Sequence, residues 1–348
     1  MYPNRPIPHS RAFQFGMFLT GLCWLFVASL GSQQAAQGLS LRFNLTDCEP
    51  LLRSAFFLLL VVVGFTTLQR MTVRASEGIR QDNALPARPT ASREWATGAA
   101  FGWGLALAVA LLLAIFRALE PHFWFSLRSL GQTLISLATL ALGTLALEAA
   151  FRGYLYRRLI DSIGVVPATT LLSLIYAFVV NFNIPSATLL SFVTTFVLGI
   201  IFSIAYLRTH ALWLGWGLHF AWASVLAVFF GLVLAGDGGL STIVTTDIAG
   251  PNALTGAGFG PEGSVLTLIL ALASIPLLYR ITRDFAWTYT HPEIVSAGYA
   301  MEAQPPAAHE AMQNSVAPPP PPPLVQILGT TSTNASTLPV IDQHLRGE

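Results

Sequence analysis

Glu148 and Arg152, four residues apart in LALEAAFRGYLYRRL, share one face of a helix. The residues around them are apolar enough to lie in a bilayer, where an ionisable side chain costs at least about 2.5 kcal/mol, so an intramembrane carboxylate marks a functional-site candidate with a partner nearby. Two further polar residues stand on apolar helices: Asn181 in SLIYAFVVNFN, and His219 in LWLGWGLHFAWAS between Trp216 and Trp222. A buried imidazole must find a hydrogen-bond partner, and Glu148 is the anionic candidate. A carboxylate and an imidazole within reach of each other can move protons to and from water, and a donor such as Asn181 can hydrogen-bond a carbonyl oxygen. The same residues also fit a structural role, because a buried charge is ordinarily paired and Glu148 with Arg152 would tie one helix to its neighbours. Arg157 and Arg158 read as interfacial anchors, and Trp213, Trp216 and Trp222 as packing residues.

The elements that hold these side chains are legible from composition. Hydrophobic residues make up 53% of the 348 and charged residues 10%, well below the roughly 25% of a soluble domain, which excludes a single water-soluble globule. Apolar stretches long enough to span a bilayer predict helices near 13–32, 53–69, 97–116, 128–150, 165–182, 186–207, 211–235 and 264–280. The fold class expected is an all-α integral membrane protein with about eight transmembrane helices. The first stretch is longer than the roughly 7–15-residue core of a secretory signal and reads as an uncleaved anchor.

The chain has no lysine, so orientation rests on arginine. Arg5 and Arg11 precede the first helix, Arg70, Arg74, Arg80, Arg88 and Arg93 follow the second, and Arg152, Arg157, Arg158, Arg208, Arg280 and Arg283 follow the fourth, sixth and eighth. Those segments are expected in the cytoplasm, together with both termini. The segment 236–263, with Asp237, Asp247 and Glu262 and no arginine, is expected as an external cap; its run GAGFGPEGS is not preceded by a strand and is no phosphate loop.

A net charge of +1 without a dense basic face argues against a nucleic-acid partner. Cys23 and Cys48 are too few for a disulfide framework, and no CxxC, HExxH or Cys/His cluster proposes a metal; no cofactor is expected. After Asp284 the chain turns to Pro, Ala, Ser and Thr, including the run Pro318–Pro323. Three regions follow: 1–96, a two-helix membrane segment with a cytoplasmic loop; 97–283, the main membrane domain; and 284–348, a disordered cytoplasmic tail.

The run EAAFRGYL, followed further on by YLRTHALWLGWGLHFAW, resembles the CPBP family of intramembrane proteases, which includes the CAAX-processing endopeptidases and the bacterial Abi proteins. The resemblance covers 128–232 and implies a CPBP-like bundle whose cavity, formed by the helices at 128–150, 165–182 and 211–235, opens to the cytoplasm. The family pattern is Glu-Glu-x-x-x-Arg, Phe-x-x-x-His and His-x-x-x-Asn; the first Glu and first His are thought to activate water, and the later His and Asn to support the oxyanion. Aligned on FRG, Glu148 is the second Glu and Arg152 the Arg, while Leu147 stands where the first Glu belongs. Ala177 takes the Phe position, Asn181 the first His position and Ala223 the Asn position; His219 matches.

The catalytic candidates implied are therefore Glu148, Arg152, His219 and the substituted Asn181. Loss of a general base costs about 10²–10⁴ in rate, and loss of an oxyanion donor about 10²–10³. The resemblance thus implies an intramembrane endopeptidase of reduced or absent activity, acting on a membrane-embedded or lipidated peptide among membrane lipids. The alternative is a non-catalytic binding, immunity or regulatory protein, a pseudoprotease. The compartment expected is a bacterial inner membrane.

Overall fold

Apolar runs with capped ends set the helices of the computed structural model, which describes residues 10–72 and 83–285. The proline run, nearly all of the 284–348 tail and Arg5, Arg74 and Arg80 lie outside those residues. Helix α1 (Arg11–Phe43) starts where the Ser10 side chain accepts a hydrogen bond from the Phe13 amide and stops at Asn44, which turns left-handed at φ 54°. It is followed by α2 (Glu49–Thr72) and α3 (Ala91–Ile115). Helix α4 (Leu127–Glu148) opens with a reciprocal Ser126–Ser129 cap and passes through a π-helical turn (Ala149–Leu155) into α5 (Tyr156–Ile163). Gly164, at φ 89°, breaks the chain before α6 (Val165–Asn181). Helix α7 (Leu189–Thr209) has its own Thr188–Ser191 cap, and α8 (Trp213–Ser224) ends in a second π-helical turn (Val225–Phe229). A connection with a four-residue helix α9 (Asn252–Thr255) and two 3₁₀ turns (Ala257–Phe259 and Pro261–Gly263) leads to α10 (Val265–Ile281).

Five of these stretches are long and apolar enough to cross a membrane: 11–43, 46–72, 91–115, 127–163 and 189–209. Three shorter apolar helices, 165–181, 213–229 and 265–281, complete the bundle. Large side chains such as Phe26, Leu111 and Ile269 stay exposed on its outside, as a helical bundle solvated by lipid requires. The boundaries differ from the apolar runs at several helix ends; α3 begins already at Ala91, and the run from Leu127 continues to Ile163. Helix α1 continues to Phe43 because its polar stretch, SQQAAQGLS, keeps Ser32, Ala36 and Ser40 on the buried face. The helical run expected to reach 235 stops at Phe229.

The all-α expectation is corrected in one detail. Strands β1 (Leu119–Phe123) and β2 (Val244–Ile248) pair antiparallel, from Leu119 opposite Ile248 to Phe123 opposite Val244. They lie in connections, where β-branched residues in VTTDI favour an extended backbone. Arg158 is not an interfacial anchor either. It is buried and donates to Gln14 Oε1 (2.8 Å), Gln69 Oε1 (2.7 Å) and Thr72 Oγ1 (2.6 Å), joining α5 to α1 and α2.

The pairing of α3 with α8 matters most for the site. A Cβ added at Gly98 would stand 2.0 Å from the Leu214 carbonyl oxygen, one at Gly102 2.2 Å from that of Leu218, and one at Gly217 2.2 Å from that of Trp95. The two backbones touch, as in other small-x-x-x-small helix contacts. The helix carrying His219 is thereby held against a fixed wall.

Candidate active site

Glu148 is the last residue of α4, and the π-helical turn begins just after it. Such turns widen the backbone by one residue and recur at functional positions. Within this one lies Arg152, whose side chain is fully buried, as is that of Glu148 at 1% exposure. Arg152 Nη1 stands 3.4 Å from Glu148 Oε1, and Nη2 donates to the Gly199 carbonyl oxygen of α7 at 3.1 Å. Three rings surround the guanidinium: Tyr176 at 4.7 Å, Phe202 at 5.2 Å and Phe151 at 5.7 Å. Charge, carbonyl and π-faces together replace the water that Arg152 gives up.

His219 reaches the same carboxylate from α8. Its Nδ1 lies 2.9 Å from Glu148 Oε1, and its ring stacks on Phe202 with centroids 4.4 Å apart. About a tenth of the imidazole surface remains accessible, against almost none for Glu148. The second carboxylate oxygen, Oε2, has no hydrogen-bond partner among the described residues and lies against Gly215, where a Cβ would come within 3.2 Å of it. Glu148, Arg152, His219, Tyr176 and Phe202 thus form one cluster built by α4, its π turn, α6, α7 and α8.

Asn181 makes no hydrogen bond to this cluster among the described residues. At the end of α6 its Nδ2 donates to the Ala177 carbonyl oxygen (2.9 Å) and to Thr195 Oγ1 (3.3 Å), while Oδ1 accepts from Ser191 Oγ (2.6 Å). Its amide therefore fastens the end of α6 to the capped start of α7. Leu147 packs against the apolar core, and Ala177 and Ala223 are buried without polar atoms to offer. At Gly153 a Cβ would meet the Asn83 carbonyl oxygen at 3.3 Å and Leu212 Cδ1 at 3.6 Å, so the connection before α3 runs close to the π-helical turn.

The three tryptophans of α8 use their indole N–H groups as fasteners. Trp213 donates to Pro86 O (3.1 Å), Trp216 to Ala141 O (3.0 Å) and Trp222 to Glu262 Oε1 (2.7 Å). Glu262 was counted in the sequence only as one of three acids in an outer segment. The signal that singles it out is a lone carboxylate in the small and apolar run GAGFGPEGS. Tyr176 and Phe202 carried no such signal, since an aromatic on an apolar helix is usually packing. Among the described residues no group of three His, Cys, Asp or Glu side chains gathers as metal ligands would.

The described cluster can hold a negative carboxylate beside an imidazole that keeps about a tenth of its surface accessible, with a guanidinium offsetting the charge. No curated protein and no solved structure matches the chain. The family model described as Type II CAAX prenyl endopeptidase Rce1-like matches residues 129–225, which run from α4 to the π-helical turn after α8 and contain Glu148, Arg152, Asn181 and His219. That match, over 97 of the 348 residues, supports a relationship of this stretch to the CPBP/CAAX protease family.

Proposed function

We propose that this membrane protein takes a membrane-anchored, lipidated peptide at the Glu148–His219 cluster and hydrolyses it slowly, with His219 as the general base. One observation carries the reading: Glu148 Oε1 lies 2.9 Å from His219 Nδ1, while part of the ring stays accessible. A carboxylate bonded to one ring nitrogen fixes the tautomer and leaves Nε2 as the acceptor, the arrangement that orients the histidine of hydrolytic triads. Nε2 would take a proton from water as the oxygen attacks the peptide carbonyl, and Arg152 would keep the Glu148 charge tolerable inside the bundle.

An open apolar groove of about 450 Å³, lined by Ala99, Trp103, Leu137, Phe220 and Phe229 and by none of the cluster residues, supports a hydrocarbon chain lying against the helix that carries His219. Slow turnover follows from the positions that lack polar groups. Ala223 offers no oxyanion donor, and a missing donor costs about 10²–10³ in rate. The arginine distribution supports a site entered from the cytoplasm, with both termini on that side.

A second reading, a non-catalytic peptide-binding or regulatory protein, is favoured by Asn181, whose hydrogen bonds all go to α6 and α7 and not to the cluster. Comparing newly formed protein termini in membranes of cells expressing wild type or Glu148→Ala separates the two. Termini present with wild type and missing with the variant support hydrolysis; identical profiles support the binding role.

A further inference from the structure

We propose that Glu262 is the second carboxylate of the Glu148–His219 site, delivered from the connection before α10 and not from α4. The inference rests on the hydrolytic reading above. Three acids lie in that connection, and they differ in where they point. Asp247 is mostly exposed and pairs with the exposed His122, and Asp237 sits in a turn with Leu234. Glu262 alone of the three bonds to a core residue of α8: its Oε1 accepts from the indole N–H of Trp222 at 2.7 Å, and Trp222 is 1% exposed.

Trp222 follows His219 by three residues, so the two share a face of α8. The hydrogen bond to Trp222 therefore places Glu262 beside the face of α8 that carries His219, and Glu148 reaches that same histidine from α4. Glu148 is sealed, whereas Glu262 keeps part of its surface accessible, and its Oε2 makes no hydrogen bond among the described residues.

The backbone holds this carboxylate in place. Gly260, at φ 97°, carries the chain past the Val233 carbonyl oxygen, which a Cβ would meet at 1.9 Å. Thr267 Oγ1 donates to the Pro261 carbonyl oxygen at 2.6 Å, and after Glu262 the Ser264 side chain caps α10. A turn fastened on both sides of Glu262 is suited to a positioned acid–base group.

The chemistry needs such a group. When water attacks, its oxygen bonds to the carbonyl carbon and one proton passes to His219 Nε2. When the C–N bond breaks, its electron pair goes to the leaving nitrogen, which must gain a proton. Glu262 in its acid form gives that proton, and the proton on His219 returns to Glu262, so that water and peptide become a carboxylic acid and an amine with both side chains restored. Leu147 leaves α4 without a carboxylate for this task.

The test uses the full chain in nanodiscs with a farnesylated peptide carrying three residues beyond its modified cysteine. Glu262→Gln retains an oxygen for the Trp222 indole, so an unchanged melting temperature checks the fold. The expected result is a kcat lowered about 10²-fold with KM little changed. A kcat equal to that of wild type overturns the proposal. Infrared difference spectra supply a readout that needs no turnover: the carboxyl band removed by Glu262→Gln should shift in His219→Gln and on adding the peptide with its three terminal amides N-methylated. If wild type does not cleave, the hydrolytic reading fails, and the band decides on Glu262 alone. A band that moves supports its place in the site; a band fixed under both changes overturns it.

Discussion

Oxygen Oε1 of Glu148 is shared: it lies 2.9 Å from Nδ1 of His219, a residue 71 positions away in the chain, and 3.4 Å from Nη1 of Arg152, four positions away. One buried atom therefore binds the partly accessible imidazole and the guanidinium that offsets the charge. Removing either partner changes a different property, the first reactivity and the second stability.

Reactivity is tested by His219→Gln, which keeps a side chain of comparable reach but no base. Peptide cleavage should fall about 10²–10⁴-fold with little change in KM, read as initial rates in nanodiscs. A fall confined to KM would assign His219 to binding.

Stability is tested at Arg152. Arg152→Met leaves Glu148 buried without its cation and should destabilise the protein by about 3–5 kcal/mol, measured by unfolding in mild detergent. Arg152→Lys should restore little of this, because an ammonium cannot reproduce the planar contacts with Tyr176 and Phe202 while bonding Glu148 and the Gly199 carbonyl. Combining Arg152→Met with Glu148→Gln should cost less than Arg152→Met alone, since the orphaned charge is gone.

Asn181 should behave as a fastener. Asn181→Ala removes the bonds to Thr195 and Ser191 and should cost about 1–3 kcal/mol in stability. Cleavage by the folded variant should match wild type. A selective loss of cleavage at unchanged stability would return Asn181 to the catalytic set.

The contact between α3 and α8 sets where His219 stands. Gly102→Val places a side chain against the Leu218 carbonyl oxygen, which even a Cβ would meet at 2.2 Å, and should cost both stability and cleavage. Gly104→Val, two residues on, meets nothing within 4 Å and should be tolerated. Thermal melting and cleavage of the two variants side by side check this.

The features that the sequence made legible are those the bilayer makes costly. An apolar run of spanning length and an ionisable residue inside it leave few alternatives, which is why the helices, Glu148, Arg152 and His219 stood out. What stayed hidden depends on tertiary partners. Nothing in SLIYAFVVNFN announces that Asn181 will bond Ser191 and Thr195 of the next helix. Arg158 reads from the sequence as an interfacial residue, whereas Gln14 and Gln69, from helices distant in sequence, receive it in the fold. The inward turn of Glu262 depends on backbone geometry at Gly260, and the π-helical turn after Glu148 has no residue pattern of its own.

The pairing of Glu148 with His219 as one proton-transferring unit is tested most directly by a double-mutant comparison of peptide cleavage among wild type, Glu148→Gln, His219→Gln and the double variant. Residues that act as a unit lose their effect together. The expected result is that each single variant loses most of the wild-type rate and the double variant loses no more than the worse single one. Losses that multiply, or a Glu148→Gln variant as active as wild type, would contradict the account.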